Sequence, residues 1–224
     1  MNTHITTYYN QLAQKYDSDR FGNAYGRFLH AQERALLTRW LASVKAGAIL
    51  DLGCGTGRFL DLATHGLDAS TGMLEVARQK FPEKTLQNGL AFAMPLADES
   101  FDVIFSMHMV MHLSADELQP LLAEAHRVLK PGGSLMFDFP STSRRQLLRQ
   151  KAAGWHGANA YTLREIRAAS LGQWRLEAVN GFLFLPIHRV PRSMRSWLIG
   201  LDTWLCGSFF KRFSSYLIVH LVKI

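Results

Sequence analysis

The stretch ILDLGCGTGRFLDLATHGLDAS, residues 49–70, decides how the rest of the chain is read. An apolar run reaches Asp51, glycines follow at 53, 55 and 57, and a second apolar run ends on Asp68. A strand running into a glycine turn lets the backbone approach a nucleotide closely, because glycine tolerates positive φ. Dinucleotide folds space those glycines G-x-G-x-x-G and place the ribose-binding acid roughly 20 residues further on. Here the pattern is G-x-G-x-G, and Asp68 follows Gly57 by 11 residues. Nothing in the stretch demands a pyrophosphate, whereas the Asp68 carboxylate can accept from ribose hydroxyls. The compressed spacing implies an unusually short helix between the turn and the second strand.

Outward from this stretch, apolar runs alternate with helical patterns. AILDLG (48–53), HGLDAS (65–70), LAFAM (90–94), FDVIFSM (101–107) and SLMFDF (134–139) read as strands. STGMLEVARQKF (70–81) and SADELQPLLAEAHRVL (114–129) are the clearest helices between them, the second opened by a Ser114/Glu117 capping box. Pro131, Gly132 and Gly133 turn the chain into the fifth strand. Continuous apolar strands alternating with helices predict an α/β fold, a parallel sheet covered on both faces.

The flanks differ. Residues 8–16 and 25–41 have helical spacing, the latter with Phe28, Leu29, Ala35, Leu36 and Trp40 on one face, and DSDRFGN (17–23) reads as a turn between them. Beyond 140, AGWHGANAY (153–161) reads as loop and Thr162 with Glu165 caps a helix over 162–170. Strands are expected at 174–186 and 214–224, with helical spacing in RSMRSWLIGLDTWL (192–205) between them.

Hydrophobic residues make up 48% of the 224 and charged residues 19%, a globular balance. No apolar run reaches the roughly 18 residues of a transmembrane helix, and the N-terminus lacks the basic and apolar regions of a secretory signal. The two cysteines, Cys54 and Cys206, are far apart, so a disulfide framework is not expected and a cytoplasmic location is. Charge is uneven: residues 1–140 carry 12 Lys+Arg against 15 Asp+Glu. Residues 141–224 carry 13 basic residues against only Glu165, Glu177 and Asp202, a net of +10. That excess either faces an acidic partner or is a solvated surface.

At this point the chain resembles the class I S-adenosylmethionine-dependent methyltransferases of the small-molecule type. DLGCGTG, GLDASTGMLEVAR, MPLADESFDVIFSMHMVMHL and RVLKPGGSLMF match the family's motifs in family order across residues 45–140. The resemblance implies a Rossmann-like, doubly wound, mostly parallel seven-stranded sheet with an antiparallel last strand. It also implies one methyltransferase domain over 1–224: a helical N-terminal cover (1–44), a cofactor-binding core (45–140) and a substrate side (141–224) with a lid insertion at about 186–213. The cofactor would be S-adenosyl-L-methionine. Gly53, Gly55 and Gly57 would wrap its methionine part and ribose, Asp51 would face its ammonium and Asp68 its ribose hydroxyls. Ala91 and Phe92 fall at the adenine, with Phe92 where many members carry an acid, and Ser106 and Met107 lie beside the methionine moiety.

Catalysis of methyl transfer is mainly positioning, aided by a general base when the acceptor must lose a proton. His108 and His112 follow the fourth strand at i, i+4 and are the candidate bases, with His156 a third and Asp138 a pocket-lining residue. No third ligand accompanies the His pair, so no metal is expected. Tyr9, Tyr16, Arg20, Phe21 and Tyr25 resemble the cover of small-molecule members. The insertion mixes Arg189, Arg192, Arg195, Lys211 and Arg212 with Trp197, Leu198, Leu201, Trp204, Leu205, Phe209 and Phe210. It reads as a substrate lid that includes Trp197, as a basic amphipathic surface on an anionic membrane, or as a dimer interface.

The expectation is a methyltransferase acting on a small hydrophobic or anionic acceptor, as monomer or homodimer. An RNA methyltransferase and a noncatalytic S-adenosylmethionine-binding protein are the alternatives. Nucleic acid is disfavoured because no binding module is appended and SMHM replaces the N-P-P-Y-type tetrapeptide.

Overall fold

The computed structural model describes residues 3–150 and 159–224. Its elements are α1 Thr3–Leu12, α2 Tyr16–Phe21, α3 Ala24–Ala42, β1 Ile49–Leu52, β2 His65–Asp68, α4 Thr71–Lys80, β3 Thr85–Asn88 and β4 Phe101–Ser106. Then come α5 Ala115–Val128, β5 Leu129–Pro140, α6 Thr142–Leu147, α7 Leu163–Ala169, β6 Trp174–Phe182, α8 Arg192–Gly207 and β7 Tyr216–Lys223. The seven strands form one sheet in the order β3-β2-β1-β4-β5-β7-β6. All pairings are parallel except those of β7, which runs antiparallel to both β5 and β6.

Helix placement follows the caps and the apolar stripes. Asn23, Ser70 and Thr162 each accept from a backbone N–H in the first turn of the helix they precede, and α5 and α7 open with full capping boxes. One core packs Leu118, Leu121, Leu122 and Ile166 of α5 and α7 on the sheet. The other packs Leu29, Leu37 and Trp40 of α3 and Leu74 and Ala77 of α4 on the opposite face. The strand order reverses between β1 and β4, and in open α/β sheets ligands bind beyond the strand ends at such a point.

Four expectations need correction. Residues 17–23 are not one turn: α2 continues to Phe21, and only Gly22 and Asn23 break the chain before α3. LAFAM is not a strand; Leu90 and Ala93 form an isolated bridge, and Ala91 and Met94 are buried in a core. The strand at that sheet edge is Thr85–Asn88, whose half-exposed, polar residues hide it from an apolar-run criterion. The segment after the glycine turn is a single 3-10 turn at Leu60–Leu62, shorter than the short helix expected, and α6 was not anticipated at all.

Candidate active site

The glycine turn leaves β1 and is tied to the end of β2, because Gly53 and Cys54 N–H groups both donate to the Leu67 carbonyl, at 2.7 and 3.1 Å. Gly53 has φ +75°, and a Cβ there would stand 2.8 Å from Met109, so only glycine fits. Gly55, at φ +54°, would meet nothing within 4 Å and is the open side of the turn. Asp68 closes the turn: its carboxylate accepts from Gly55 N–H and from Ser70 N–H, both at 2.8 Å. The early arrival of Asp68 in the sequence is therefore a matter of the 3-10 turn replacing a longer helix, with the acid still at the tip of β2.

Burial pushes the Asp68 carboxyl above its ordinary value, against the pull of these N–H donors. Asp51 at the end of β1 is almost fully buried, and burial pushes its pKa up to about 8. Ser106 Oγ, at the end of β4, is buried with no hydrogen-bond partner among the described residues. An open glycine turn, a carboxylate at a strand tip, a buried acid stabilised by any nearby cation and an orphaned hydroxyl together suit a polar ligand carrying ribose hydroxyls and an amine.

The N-terminal segment lies over this seat. Thr56 Oγ1 donates to Asp17 at 2.6 Å, Lys80 pairs with Asp17, and Asn10 Oδ1 accepts from Gly72 N–H at 2.9 Å and from Ser70 Oγ at 2.6 Å. With the cover down, only about 40 Å³ remains between Tyr16, Asp51, the glycine turn and His108. Tyr16 and His108 are also walls of a neighbouring cavity of about 270 Å³ that includes Tyr9, Arg20, Tyr25 and His112.

Both candidate histidines line this cavity, although residues 108–112 are not an α-helix but contain a 3-10 turn at Val110–His112. Their environments differ. His108 sits at φ +60°, a left-handed conformation rare outside glycine, held there by its N–H donating to Asp138 Oδ1 at 2.6 Å. Its Nε2 pairs with Glu33, and its Nδ1 lies 3.4 Å from Asp138 Oδ2. Glu33 is fully buried and pairs also with Arg58, whose guanidinium lies 4.3 and 4.2 Å from the ring centres of Phe21 and Phe59.

Burial raises the Glu33 carboxyl, but Arg58 and His108 outweigh it and hold the group below its ordinary value. Burial lowers the His108 imidazole, but Glu33 and Asp138 outweigh it and the net displacement is upward. Asp138 is raised by burial. Donor atoms of Glu33, His108 and Asp138 lie within 4.8 Å of one another, a spacing compatible with a cation, yet the Arg58 guanidinium already supplies positive charge to Glu33. His112, by contrast, has its Nε2 2.9 Å from the Tyr9 hydroxyl. Burial raises Tyr9 above the phenol's ordinary value.

Tyr25 and Tyr216 are shared with a third and larger cavity, of about 730 Å³, bordered by Arg144, Arg145, His188 and Arg189. No carboxylate is among its described walls. Arg144 is fixed by donating from Nη1 to the carbonyls of Phe184 and Phe213, at 2.9 and 2.7 Å.

The structure thus gathers Asp51, Gly53, Gly55, Asp68, Ser106, Met107, His108, His112, Tyr16, Arg20 and Tyr25 around the ends of β1, β2 and β4. Phe92 is half-buried on the turn after β3. Trp197 is not brought in: its side chain is 70% exposed and borders none of these three cavities. His156 lies outside the described residues. Glu33, Arg58 and the arginine-lined cavity were missed. The signal for Glu33 was a lone acid inside the apolar stripe of α3, between Leu29 and Leu36/Leu37.

Residues 50–137 match a methyltransferase domain model, and the chain is similar to the class I S-adenosylmethionine-dependent methyltransferases. It is 34% identical over 158 residues to a malonyl-[acyl-carrier protein] O-methyltransferase of Serratia marcescens, covering 66% of this chain and 61% of that protein. It is 34% identical over 142 residues to a ubiquinone/menaquinone biosynthesis C-methyltransferase of a Ruegeria species, covering 57% and 55%. The chain therefore spans somewhat more than half the length of these curated relatives. A Thermotoga maritima S-adenosylmethionine-dependent methyltransferase has the same fold, with TM-score 0.59 and 22% identity over 90% of this chain and 98% of that one. The family's cofactor is S-adenosylmethionine, and the donor set around Asp51, Gly55, Asp68 and Ser106 fits it.

Two cofactor-side outcomes are expected. If Asp68 holds the ribose, Asp68→Ala weakens S-adenosylmethionine binding by about 1–3 kcal/mol in calorimetry, because the ribose hydroxyls as well as the Gly55 N–H lose their acceptor; an unchanged affinity places the ribose elsewhere. Asp51→Asn stabilises the cofactor-free protein. The wild-type carboxyl is displaced from 3.8 to about 8, so the unfolded chain ionises first and wild-type stability declines as pH rises between those values. The stability advantage of the variant grows across that window. Parallel melting temperatures from pH 5 to about 8 contradict this.

Proposed function

We propose that the chain transfers the methyl group of S-adenosylmethionine to a small acceptor that bears an anionic group. When bound, the cofactor supplies an electrophilic methyl on a sulfonium. One observation carries the acceptor assignment: the histidine-lined cavity and the arginine-bordered cavity share Tyr25 and Tyr216 as walls. An acceptor anchored by its anion among Arg144, Arg145 and Arg189 can extend its reacting atom past the two tyrosines toward His112.

In this reading His112 is the base. Its Nε2 stands 2.9 Å from the Tyr9 hydroxyl, and an acceptor hydroxyl or amine can take that phenol's place. His108 is a positioning residue: both ring nitrogens face carboxylates, Glu33 and Asp138, which outweigh burial and raise its pKa. The 40 Å³ left under the cover is far below the roughly 300 Å³ of a small-ligand pocket, so cofactor entry moves Tyr16 and with it α1 and α2. The cover is held by polar contacts such as Lys80 to Asp17 and by an apolar cluster of Ala13, Met73 and Val76 against Tyr9 and Tyr16, which that movement loosens.

The first relative's name gives a first acceptor, a malonyl-[acyl-carrier protein], assayed as a pair with an uncharged acyl analogue and radiolabelled S-adenosylmethionine. Label passing to the acidic member of a pair supports the reading. Transfer only to neutral compounds removes the anionic acceptor, and failure to bind S-adenosylmethionine removes the enzyme.

A further inference from the structure

We infer that the outer face made by α6, α8 and the 3-10 turn Phe209–Phe213 docks on an anionic lipid bilayer. The first observation is where the large apolar side chains are left in water. Trp197 and Trp204, seven residues apart on one side of α8, are 70% and 61% exposed, and Phe209 just beyond is 74% exposed. Phe210 and, on α6, Leu147 and Leu148 are also exposed. The three elements adjoin: Arg144 and Ser141 at the start of α6 bond to the carbonyls of Phe213 and Arg212, and α8 runs through Ser208 straight into the turn. Isolated exposed apolar residues are ordinary, but two Trp and two Phe on one adjoining surface are not.

The second observation is charge. Between residues 178 and 224 the only acid is Asp202, and it is fully buried. Arg212 is exposed along this face, and its guanidinium lies 4.8 Å from the ring centres of Phe209 and Phe213. Aromatic rings interleaved with guanidinium groups, with no exposed carboxylate on that stretch, match the headgroup region of an anionic membrane. A second copy of the chain is a poor occupant, since it would bring the same positive charge against itself.

Asp202 on the inner side of α8 accepts from the Leu185 N–H at 2.6 Å and from Gln32 of α3 at 2.6 Å, which fastens the helix to the body with its tryptophans outward. Leu148 belongs both to the exposed surface and to the arginine-bordered cavity. Docking therefore sets that cavity beside the lipid surface, from which an amphipathic acceptor with an anionic head can enter.

The test is flotation of the full chain with vesicles of equimolar phosphatidylcholine and phosphatidylglycerol, against vesicles of phosphatidylcholine alone. The expected result is binding to the anionic vesicles only, lost when salt is raised from about 0.05 to about 0.5 M. The double variant Trp204→Ser/Phe209→Ser and the single variant Arg212→Glu each lower the bound fraction about tenfold. Calorimetry with S-adenosylmethionine shows that the variants are folded. Absence of flotation with anionic vesicles, or a double variant that floats like the wild type, overturns the inference. So does a concentration-dependent dimer that Trp204→Ser/Phe209→Ser dissolves. A chain that floats without binding S-adenosylmethionine refutes the proposed function and leaves the docking surface standing.

Discussion

Glu33→Ala is expected to cost about 3–5 kcal/mol of folding stability, read by urea denaturation. Glu33 is fully buried and is the shared partner of Arg58 and His108, so its removal leaves two cationic groups facing each other inside the protein. The loss depends on pH in both directions. The Glu33 carboxyl is held below its ordinary 4.5, so its contribution is complete above 4.5 and disappears as pH falls through the lowered folded value. The His108 imidazole is held above its ordinary 6.5, so its contribution is complete below 6.5 and disappears as pH rises through the raised folded value. The gap between wild type and variant is therefore widest between about pH 4.5 and 6.5. A gap under about 0.5 kcal/mol in that window, the range of ordinary surface substitutions, means that the pairs contribute nothing net.

The second large effect is on turnover. His112→Ala is expected to lower kcat about 10²- to 10⁴-fold while S-adenosylmethionine affinity stays near the wild-type value. His108→Ala separates the roles: it destabilises the protein and weakens cofactor binding, but it spares the chemical step at saturating cofactor. A full rate in His112→Ala places proton removal elsewhere or dispenses with it, as an acceptor already ionised would allow. Calorimetry on the same variant tells loss of chemistry from loss of the cofactor seat.

Much of this was legible in residues 49–70. Glycines at 53 and 55 and an acid at 68 have local consequences: positive φ at the turn, and a carboxylate within reach of the turn's own N–H groups. Capping boxes at Ser114 and Thr162 were readable for the same reason, since their partners lie three residues away. The polar edge strand at 85–88 was not readable, because an edge strand half in water carries no apolar run and only its pairing with β2 reveals it.

The sequence by itself determined the alternation of strands and helices, the glycine turn and the concentration of positive charge in the last third, all properties of neighbouring residues or of composition. Tertiary structure alone decided that Glu33 meets Arg58 and His108, that the two histidines differ, and that the tryptophans of α8 point into solvent. Those contacts join residues tens of positions apart, and the energy of a buried charge or an exposed ring depends on what the fold sets beside it rather than on its chain neighbours.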